Sequence, residues 1–168
     1  MRKYLFCSVC IILTLTSCSK KGSSPVVNSN TISATIDGVD ESFNTIAVAK
    51  NISVSQGYSL FFAGTNGTSS TADAFSITVD GLQPITTGTF DLSGGASGNY
   101  FPGMAYTQPG SIIYEQDLSG ANPTIVTITT LTATNVQGSF SGKLVLYSGS
   151  GVPATKTITN GKFNVSFR

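Results

Sequence analysis

The sequence contains no histidine and only three cysteines, two of which lie within the first ten residues. Without histidine there can be no Ser-His-Asp or Cys-His nucleophile system and no histidine-ligated zinc or iron site. Cys7 and Cys10 fall in a segment that we expect to be removed, and Cys18 is discussed below. A folded domain without thiols has neither a disulfide framework nor a cysteine metal site. We therefore predict no cofactor, no metal and no catalytic residue.

Charged residues are also scarce, at 10% of the chain. From Cys18 onward seven basic residues face eight acidic ones, a side-chain balance of −1. Nucleic-acid binding needs basic residues concentrated on one face, whereas Lys20 and Lys21 are the only adjacent basic pair in this part of the chain. A solvated tether or contact with anionic lipid headgroups accounts for that pair. We expect no nucleic-acid partner.

An uncharged apolar stretch, residues 5–15, follows a basic start. It is too short for a transmembrane helix, which needs about 20 apolar residues, but it suits the core of a secretory signal. The next residues resemble the lipobox of bacterial lipoproteins, a leucine, two small residues and a cysteine: Leu15, Thr16, Ser17 and Cys18. The resemblance implies cleavage before Cys18, a diacylglyceryl group on its thiol and acylation of the new amino group. The alternative is ordinary secretion with an odd free thiol at Cys18.

The lipobox resemblance and the composition divide the chain into three parts. Residues 1–17 are the expected signal peptide, 18–30 the lipidated cysteine with a flexible tether of small polar residues, and 31–168 one domain of ordinary size. By resemblance to lipoprotein sorting rules, Ser19 after the cysteine favours the outer membrane. The basic pair that follows favours the periplasmic face over the cell surface. Membrane lipid, bound through Cys18, is thus an implied partner.

The domain is predicted to be all-β. Serine and threonine number 45 in the chain, β-branched residues alternate with them, and no stretch has helical apolar spacing. Short strands between regular turn signals indicate a single antiparallel β-sandwich, with a β-barrel as the alternative. Beyond the two hairpins described next, strands are predicted at 47–54, 58–63, 74–79, 89–92, 112–115, 124–130 and 138–146.

Four dipeptides have the chemistry of tight turns, because glycine with Asn or Asp tolerates positive φ. Two of them predict hairpins. Asp37-Gly38 would pair Ile36 with Val39, and Asn160-Gly161 would fold the C-terminus back on itself. The other two turn signals are Asn66-Gly67 and Asp80-Gly81.

The body of the chain resembles small, uncharacterised β-rich lipoproteins of Bacteroidota. The resemblance lies in turn glycines and core alternation, in the segments Ala34 to Gly38, Gly88 to Leu92, Val126 to Thr129, Val136 to Phe140 and Ile158 to Phe163. It implies a β-rich fold and an envelope location, and it implies no catalytic residue.

Aromatic residues among glycines and prolines make residues 94–123 the most suggestive segment for binding. Long irregular connections on a rigid scaffold often carry binding sites. Exposed Tyr100, Tyr106 and Tyr114 could stack on sugar rings, with Asn99, Gln108 and Gln116 as hydrogen-bond partners. The alternative is that these aromatics fill strands and core.

Acidic residues raise two further possibilities. Glu115 and Asp117 would share a strand face and could serve as the carboxylate pair of a glycan-processing enzyme, whose carboxylates lie about 5 to 10 Å apart; a solvated strand end is the alternative. Asp37, Asp40 and Glu41 could converge on calcium, or else form a turn and a charged sheet edge.

These observations predict a lipid-anchored cell-envelope protein whose β-sandwich is a noncatalytic binding or structural module. Its ligand would be a glycan or an envelope protein, and the candidate ligand-binding residues are Tyr100, Tyr106, Tyr114, Glu115 and Asp117. A carboxylate-dependent glycan-processing enzyme is the alternative.

Overall fold

The computed structural model describes residues 30–45, 48–54, 57–91, 99–119, 122–146 and 153–168. These residues form strands and no helix. The expected signal peptide, Cys18 and the tether up to residue 29 lie outside the described residues. The strands are β1 (Thr31–Ile36), β2 (Val39–Ser42), β3 (Val48–Val54), β4 (Gly57–Thr65), β5 (Ala74–Gly81), β6 (Gly88–Asp91), β7 (Tyr100–Gln108), β8 (Ile112–Gln116), β9 (Ile125–Leu131), β10 (Asn135–Leu146) and β11 (Ala154–Ser166).

The strands form an antiparallel β-sandwich, as predicted, and the sheet does not close into a barrel. The main path is β2-β1-β11-β10-β8-β7-β5-β4-β3, and β9 with β6 branches from the first half of β10. The long strand β10 belongs to both layers, because its first half pairs β9 and its second half pairs β8. One parallel bridge, Ala49 to Phe167, brings the C-terminal end beside β3.

The core lies between the two layers and is rich in aromatic rings. Phe62 of β4 meets Phe163 of β11 with ring centroids 4.2 Å apart, and Phe75 of β5 meets Phe140 of β10 at 5.1 Å. All four side chains are at most 3% exposed. Rings that touch across the layers contribute beyond the area that they bury, so these contacts hold the two sheets together.

The first predicted hairpin is confirmed. Ile36 pairs with Val39 across a two-residue turn in which Asp37 has φ 51° and Gly38 has φ 86°. Positive φ at both central residues gives the turn a twist that matches the flanking strands. Asn66-Gly67 also lies in a connection, between β4 and β5.

The hairpin predicted at Asn160-Gly161 is wrong, because β11 runs through it without turning. The dipeptide instead forms a β-bulge: the register of β11 shifts there against both β10 and β1, and Asn160 has φ 53°. An uninterrupted β11 pairs with a neighbour on each side, which a hairpin folded on itself would forfeit. A Cβ on Gly161 would lie 2.4 Å from the Phe140 carbonyl oxygen, so the glycine permits close strand approach.

The turn signal at Asp80-Gly81 is also wrong, since both residues belong to β5. Gly81 pairs with Tyr58 on one side and Tyr100 on the other. A Cβ on Gly81 would lie 2.5 Å from the Tyr100 ring. Glycine therefore makes room here for an aromatic side chain of the neighbouring strand.

Strand β7 corrects the prediction of an irregular connection at residues 94–123. Pro102 and Gly103 both pair with β5, in a ladder that runs along the full length of β5. Backbone N–H groups alternate in direction along a strand, so Pro102 has the same orientation as Met104. The Met104 N–H donates to the Gln116 side chain, on the side where β7 has no backbone partner at this level. The missing N–H of proline therefore breaks no ladder hydrogen bond.

Candidate functional site

A depression of about 340 Å³ lies on the outer face of β5, β7 and β8. We call it the sheet-face depression; its lining residues are Ser76, Thr78, Gly103, Met104, Ala105, Glu115, Gln116 and Leu118. Strand register sets this arrangement. Ser76 pairs with Ala105, which in turn pairs with Glu115, and Thr78 pairs with Gly103. The floor is low because two of its β7 residues have little or no side chain.

Gly103 is the centre of the sheet-face depression. A Cβ at this position would lie 2.5 Å from the Thr78 Oγ1 and 2.9 Å from the Gln116 Oε1, so a hydroxyl and an amide converge above the glycine. The Gln116 Oε1 accepts a hydrogen bond of 3.1 Å from the Met104 N–H. Its Nε2 group has no hydrogen-bond partner among the described residues, which leaves two donors for a ligand.

The rim carries the carboxylate of Glu115 and exposed apolar surface, and the exposed Asp80 lies beside Phe101 as its partner on β5. Glu115 is exposed, and within the described ranges its carboxylate has no ion-pair partner. Leu118 is 67% exposed, and Phe101 is 54% exposed. Phe101 lies two residues before Gly103 on the same face of β7, because side chains alternate along a strand. A second ring, Phe61 of β4, is half-buried and pairs with Thr78 on the far side of the floor.

Asp117 does not share this face with Glu115, contrary to the prediction. At the end of β8 the chain leaves β7 and pairs with β10, which breaks the alternation. The Asp117 carboxylate is turned onto Lys143, at 3.3 Å, and accepts from the Ser119 N–H at 2.8 Å. Hydrogen bonds from Ser119, and then Lys143, hold the pKa of Asp117 below its usual range. The Asp117 carboxylate is therefore engaged with Lys143 and Ser119 and does not line the sheet-face depression.

The expected surface of exposed tyrosines does not form. Tyr106 and Tyr114 are buried, at 4% and 8% exposure. Tyr100 is half-buried, packs on Phe90 with centroids 5.0 Å apart and donates to the Pro84 carbonyl oxygen at 3.0 Å. Aromatic strand residues on the inner face have filled the core, which was the alternative interpretation.

The buried tyrosines instead support a polar cluster at one end of the sandwich. The Tyr106 hydroxyl donates a hydrogen bond to Asp73 at 2.5 Å. Burial raises the pKa of Tyr106, and this hydrogen bond raises it further. The Lys156 ammonium lies 5.7 Å from the Tyr114 ring centroid and 2.9 Å from the Asp37 carboxylate. These groups satisfy one another, so the cluster holds the turn of the first hairpin against β11.

The three acids considered for calcium are separated by their contacts. Asp37 accepts from the Thr157 N–H at 2.8 Å as well as pairing with Lys156, while Asp40 accepts from the Thr35 hydroxyl at 2.6 Å. In the described ranges no group of three or more acidic, histidine or cysteine side chains is arranged to hold a metal.

A second depression, of about 370 Å³, lies on the outer face of β1, β2 and β11. Its charges are Asp40, Glu41 and Lys162. Acidic and basic groups offset one another there, and Asp40 is already hydrogen-bonded to Thr35. The sheet-face depression, with its unpaired carboxylate and amide donors, is therefore the better candidate for a ligand.

Comparisons with protein-family profiles, with curated proteins and with solved structures find no match. No helix that is long and apolar enough to cross a membrane occurs in the described ranges.

Of the sequence-predicted site residues, only Glu115 lies in the sheet-face depression, beside Gln116 that was expected as a hydrogen-bond partner. Sequence reasoning missed Ser76 and Thr78. Phe101 and Gly103 lie in the segment 94–123 that it singled out for binding, but it did not name them as site residues. A signal was available in residues 100–108. Tyr100, Pro102, Met104 and Tyr106 alternate there with outward-facing residues, but this pattern is visible only when the segment is interpreted as a strand.

Proposed function

We propose that this chain is a lipid-anchored cell-envelope protein whose β-sandwich is a noncatalytic binding module, with its ligand in the sheet-face depression. The observation that carries the proposal is the convergence of the Thr78 hydroxyl and the Gln116 amide above Gly103, beside the exposed Glu115, which has no ion-pair partner among the described residues. A concave site with a few convergent polar groups is typical of ligand binding.

The titratable groups that line the depression favour binding over catalysis. Glu115 is the only titratable group that lines it in the described part of the chain. Glycoside hydrolysis needs two carboxylates in different protonation states, and Asp117 is engaged elsewhere. A single carboxylate with amide and hydroxyl neighbours can hold a ligand without a partner for acid–base chemistry.

The anchor is supported by the lipobox resemblance at Cys18. Two or more acyl chains suffice for stable attachment, and the polar tether up to residue 30 would hold the domain above the headgroups. We place the anchor in the outer membrane, with the domain on the periplasmic side. Cys18→Ala should release the chain from the membrane fraction or block its processing, while the neighbouring Ser17→Ala, which keeps a small residue, should leave it membrane-bound.

Facing is tested with an epitope tag at Arg168 and protease added to intact and lysed cells. Protection until lysis is the result expected for a periplasmic domain. Digestion on intact cells would place the domain on the cell surface and contradict the argument from Lys20 and Lys21.

Binding at the depression is tested by photo-crosslinking in cells. A benzophenone amino acid replaces Leu118, which is 67% exposed at the rim. The matched control carries it in place of Val39, which is 60% exposed on β2 of the other layer. A discrete adduct from position 118 and none from position 39 is the expected result. Equal labelling at both positions, or none at either, would remove the proposed binding site.

A further inference from the structure

We propose that the ligand of the sheet-face depression is a neutral glycan, bound through one pyranose ring that stacks on Phe101 and hydrogen-bonds to Glu115, Gln116 and Thr78. The inference rests on the proposed function, since it names the ligand class of that same site. It is carried by the hydrogen-bonding inventory, the local charge and the exposed aromatic ring.

The hydrogen-bonding groups match a ligand that both donates and accepts. The Glu115 carboxylate only accepts, the free Nε2 group of Gln116 only donates, and the Ser76 and Thr78 hydroxyls do either. Adjacent hydroxyls of a sugar ring meet such a mixed set completely, because each can donate to one group while it accepts from another. An ammonium or guanidinium ligand has only donors, so it could not accept a hydrogen bond from Gln116.

The charge of the site disfavours an anionic ligand. The lining residues in the described ranges include one carboxylate and no lysine or arginine. A phosphate or a uronic acid in the depression would meet Glu115 without a compensating cation, and like charges at close range repel. Neutral sugars avoid this cost, so the ligand is neutral where it touches the depression.

Exposed apolar surface lies where a sugar ring would need it. Phe101, at 54% exposure, lies on the same strand face as Gly103, with a spacing of about 6.6 Å for two residues of a strand. Leu118 lines the depression and is 67% exposed. A pyranose ring has apolar C–H faces and a polar rim, so it can cover an aromatic ring while its hydroxyls reach the floor. A volume of about 340 Å³ lies at the small end of ligand sites.

The test is saturation-transfer NMR on the lipidated full chain in a non-glycosidic detergent. The probes are the methyl β-pyranosides of glucose, galactose, mannose and N-acetylglucosamine, with methyl β-glucuronide as the charged match to the glucoside. We expect at least one neutral glycoside to bind with a dissociation constant on the order of 1 mM or tighter. The glucuronide should bind several-fold more weakly than the glucoside.

Four variants make the assignment specific. Phe101→Ala should weaken binding about tenfold, equivalent to 1.4 kcal/mol, and its matched control is Leu82→Ala, an apolar residue that is 59% exposed outside the depression. Glu115→Gln should weaken binding of the neutral glycoside. It should also reduce the difference in affinity between the glucoside and the glucuronide, because the carboxylate that repels the glucuronide is gone. Its control is Glu41→Gln, the only other glutamate, which lies in the second depression.

The outcomes separate the ligand class from the binding site. Binding that weakens about tenfold in Phe101→Ala and is kept in both controls supports the proposal. If no glycoside binds while the crosslink at position 118 persists, the glycan inference is overturned and the proposed function stands. If glycoside binding is lost in Glu41→Gln and kept in Glu115→Gln, the ligand lies in the second depression and both proposals for this site fail. Loss of both the glycoside signal and the crosslink overturns both as well.

Discussion

Two glycines of the sheet should respond very differently to the same substitution by alanine. A Cβ on Gly138 would lie 1.9 Å from the Thr127 carbonyl oxygen and 2.5 Å from the Phe163 ring. A Cβ on Gly103 would meet only the Thr78 hydroxyl and the Gln116 amide, which are side-chain ends. Backbone cannot rotate away from a new methyl group, whereas a side-chain end can.

The magnitude for Gly138→Ala follows from the distance. A carbon and a carbonyl oxygen lie no closer than about 3.3 Å in ordinary contact, so β9 and β10 must separate by roughly 1.4 Å. Two ladder hydrogen bonds would then be lost, at about 0.5 to 1.5 kcal/mol each, and Phe163 would shift in a close-packed core. We expect the free energy of unfolding to fall by about 3 kcal/mol or more.

Gly103→Ala should change the free energy of unfolding by less than about 1 kcal/mol. The new methyl group would force the Thr78 side chain into another rotamer. It would also displace Gln116, which loses its hydrogen bond from the Met104 N–H. Replacing glycine by alanine recovers about 0.4 to 1 kcal/mol of stability, because alanine has fewer backbone conformations than glycine in the unfolded chain. The binding groups above the glycine are nevertheless displaced, so this variant should be folded and unable to bind.

The assay is urea unfolding followed by far-ultraviolet circular dichroism, with the slope m checked in each variant. With m of about 1 to 3 kcal/mol/M, Gly138→Ala should lower the midpoint by about 1 M or more. A Gly138→Ala protein within about 1 kcal/mol of the native chain would refute the argument, because the strands would then have to separate without cost. Equal losses in both variants would refute it too.

Three further predictions concern the core and the polar cluster. Phe163→Ala removes a ring that is 3% exposed and 4.2 Å from Phe62, and urea unfolding should show a loss of about 3 to 5 kcal/mol; a loss below about 1 kcal/mol would contradict the described core. Tyr106→Phe leaves Asp73 without its 2.5 Å donor, so thermal and urea unfolding should both show a loss of about 1 to 2 kcal/mol. The Thr157 N–H and then Lys156 hold the pKa of Asp37 low. A carboxylate whose pKa is lower in the folded state than in the unfolded state stabilises the fold at pH values above its unfolded-state pKa. That contribution is lost as the pH falls through its folded-state pKa. Stability should therefore drop below about pH 4, and Asp37→Asn should reduce that drop when midpoints are compared at pH 7 and pH 3.

The strands and the first hairpin could be predicted from sequence because their signals are local. Alternation marks each strand that packs on one side, and Asp37-Gly38 lies between two alternating runs of matching register. The C-terminal hairpin failed for a nonlocal reason. Asn160-Gly161 has the same turn chemistry, but β10 and β1 are both available to pair with an uninterrupted β11, and the dipeptide becomes a bulge.

The site was harder to predict than the fold. Pro102 and Gly103 conceal β7, since nothing in the local sequence shows that the proline nitrogen, which carries no hydrogen, faces the side on which β7 has no backbone partner at this level. The depression is assembled from three strands whose register depends on the whole sheet. Glu115 could be named from sequence, whereas its neighbours Ser76 and Thr78, nearly 40 residues earlier, required the pairing of β5 with β7.

The central claim, that the sheet-face depression holds a ligand, is tested most directly by combining the crosslink with Gly103→Ala. The adduct formed from position 118 is quantified in cells that carry either Gly103 or Gly103→Ala, after equal amounts of folded protein have been confirmed by limited proteolysis. The account predicts that the adduct forms with Gly103 and is lost with Gly103→Ala. An undiminished adduct in the folded variant would contradict it, because the label would then report a contact that does not use the groups above the glycine.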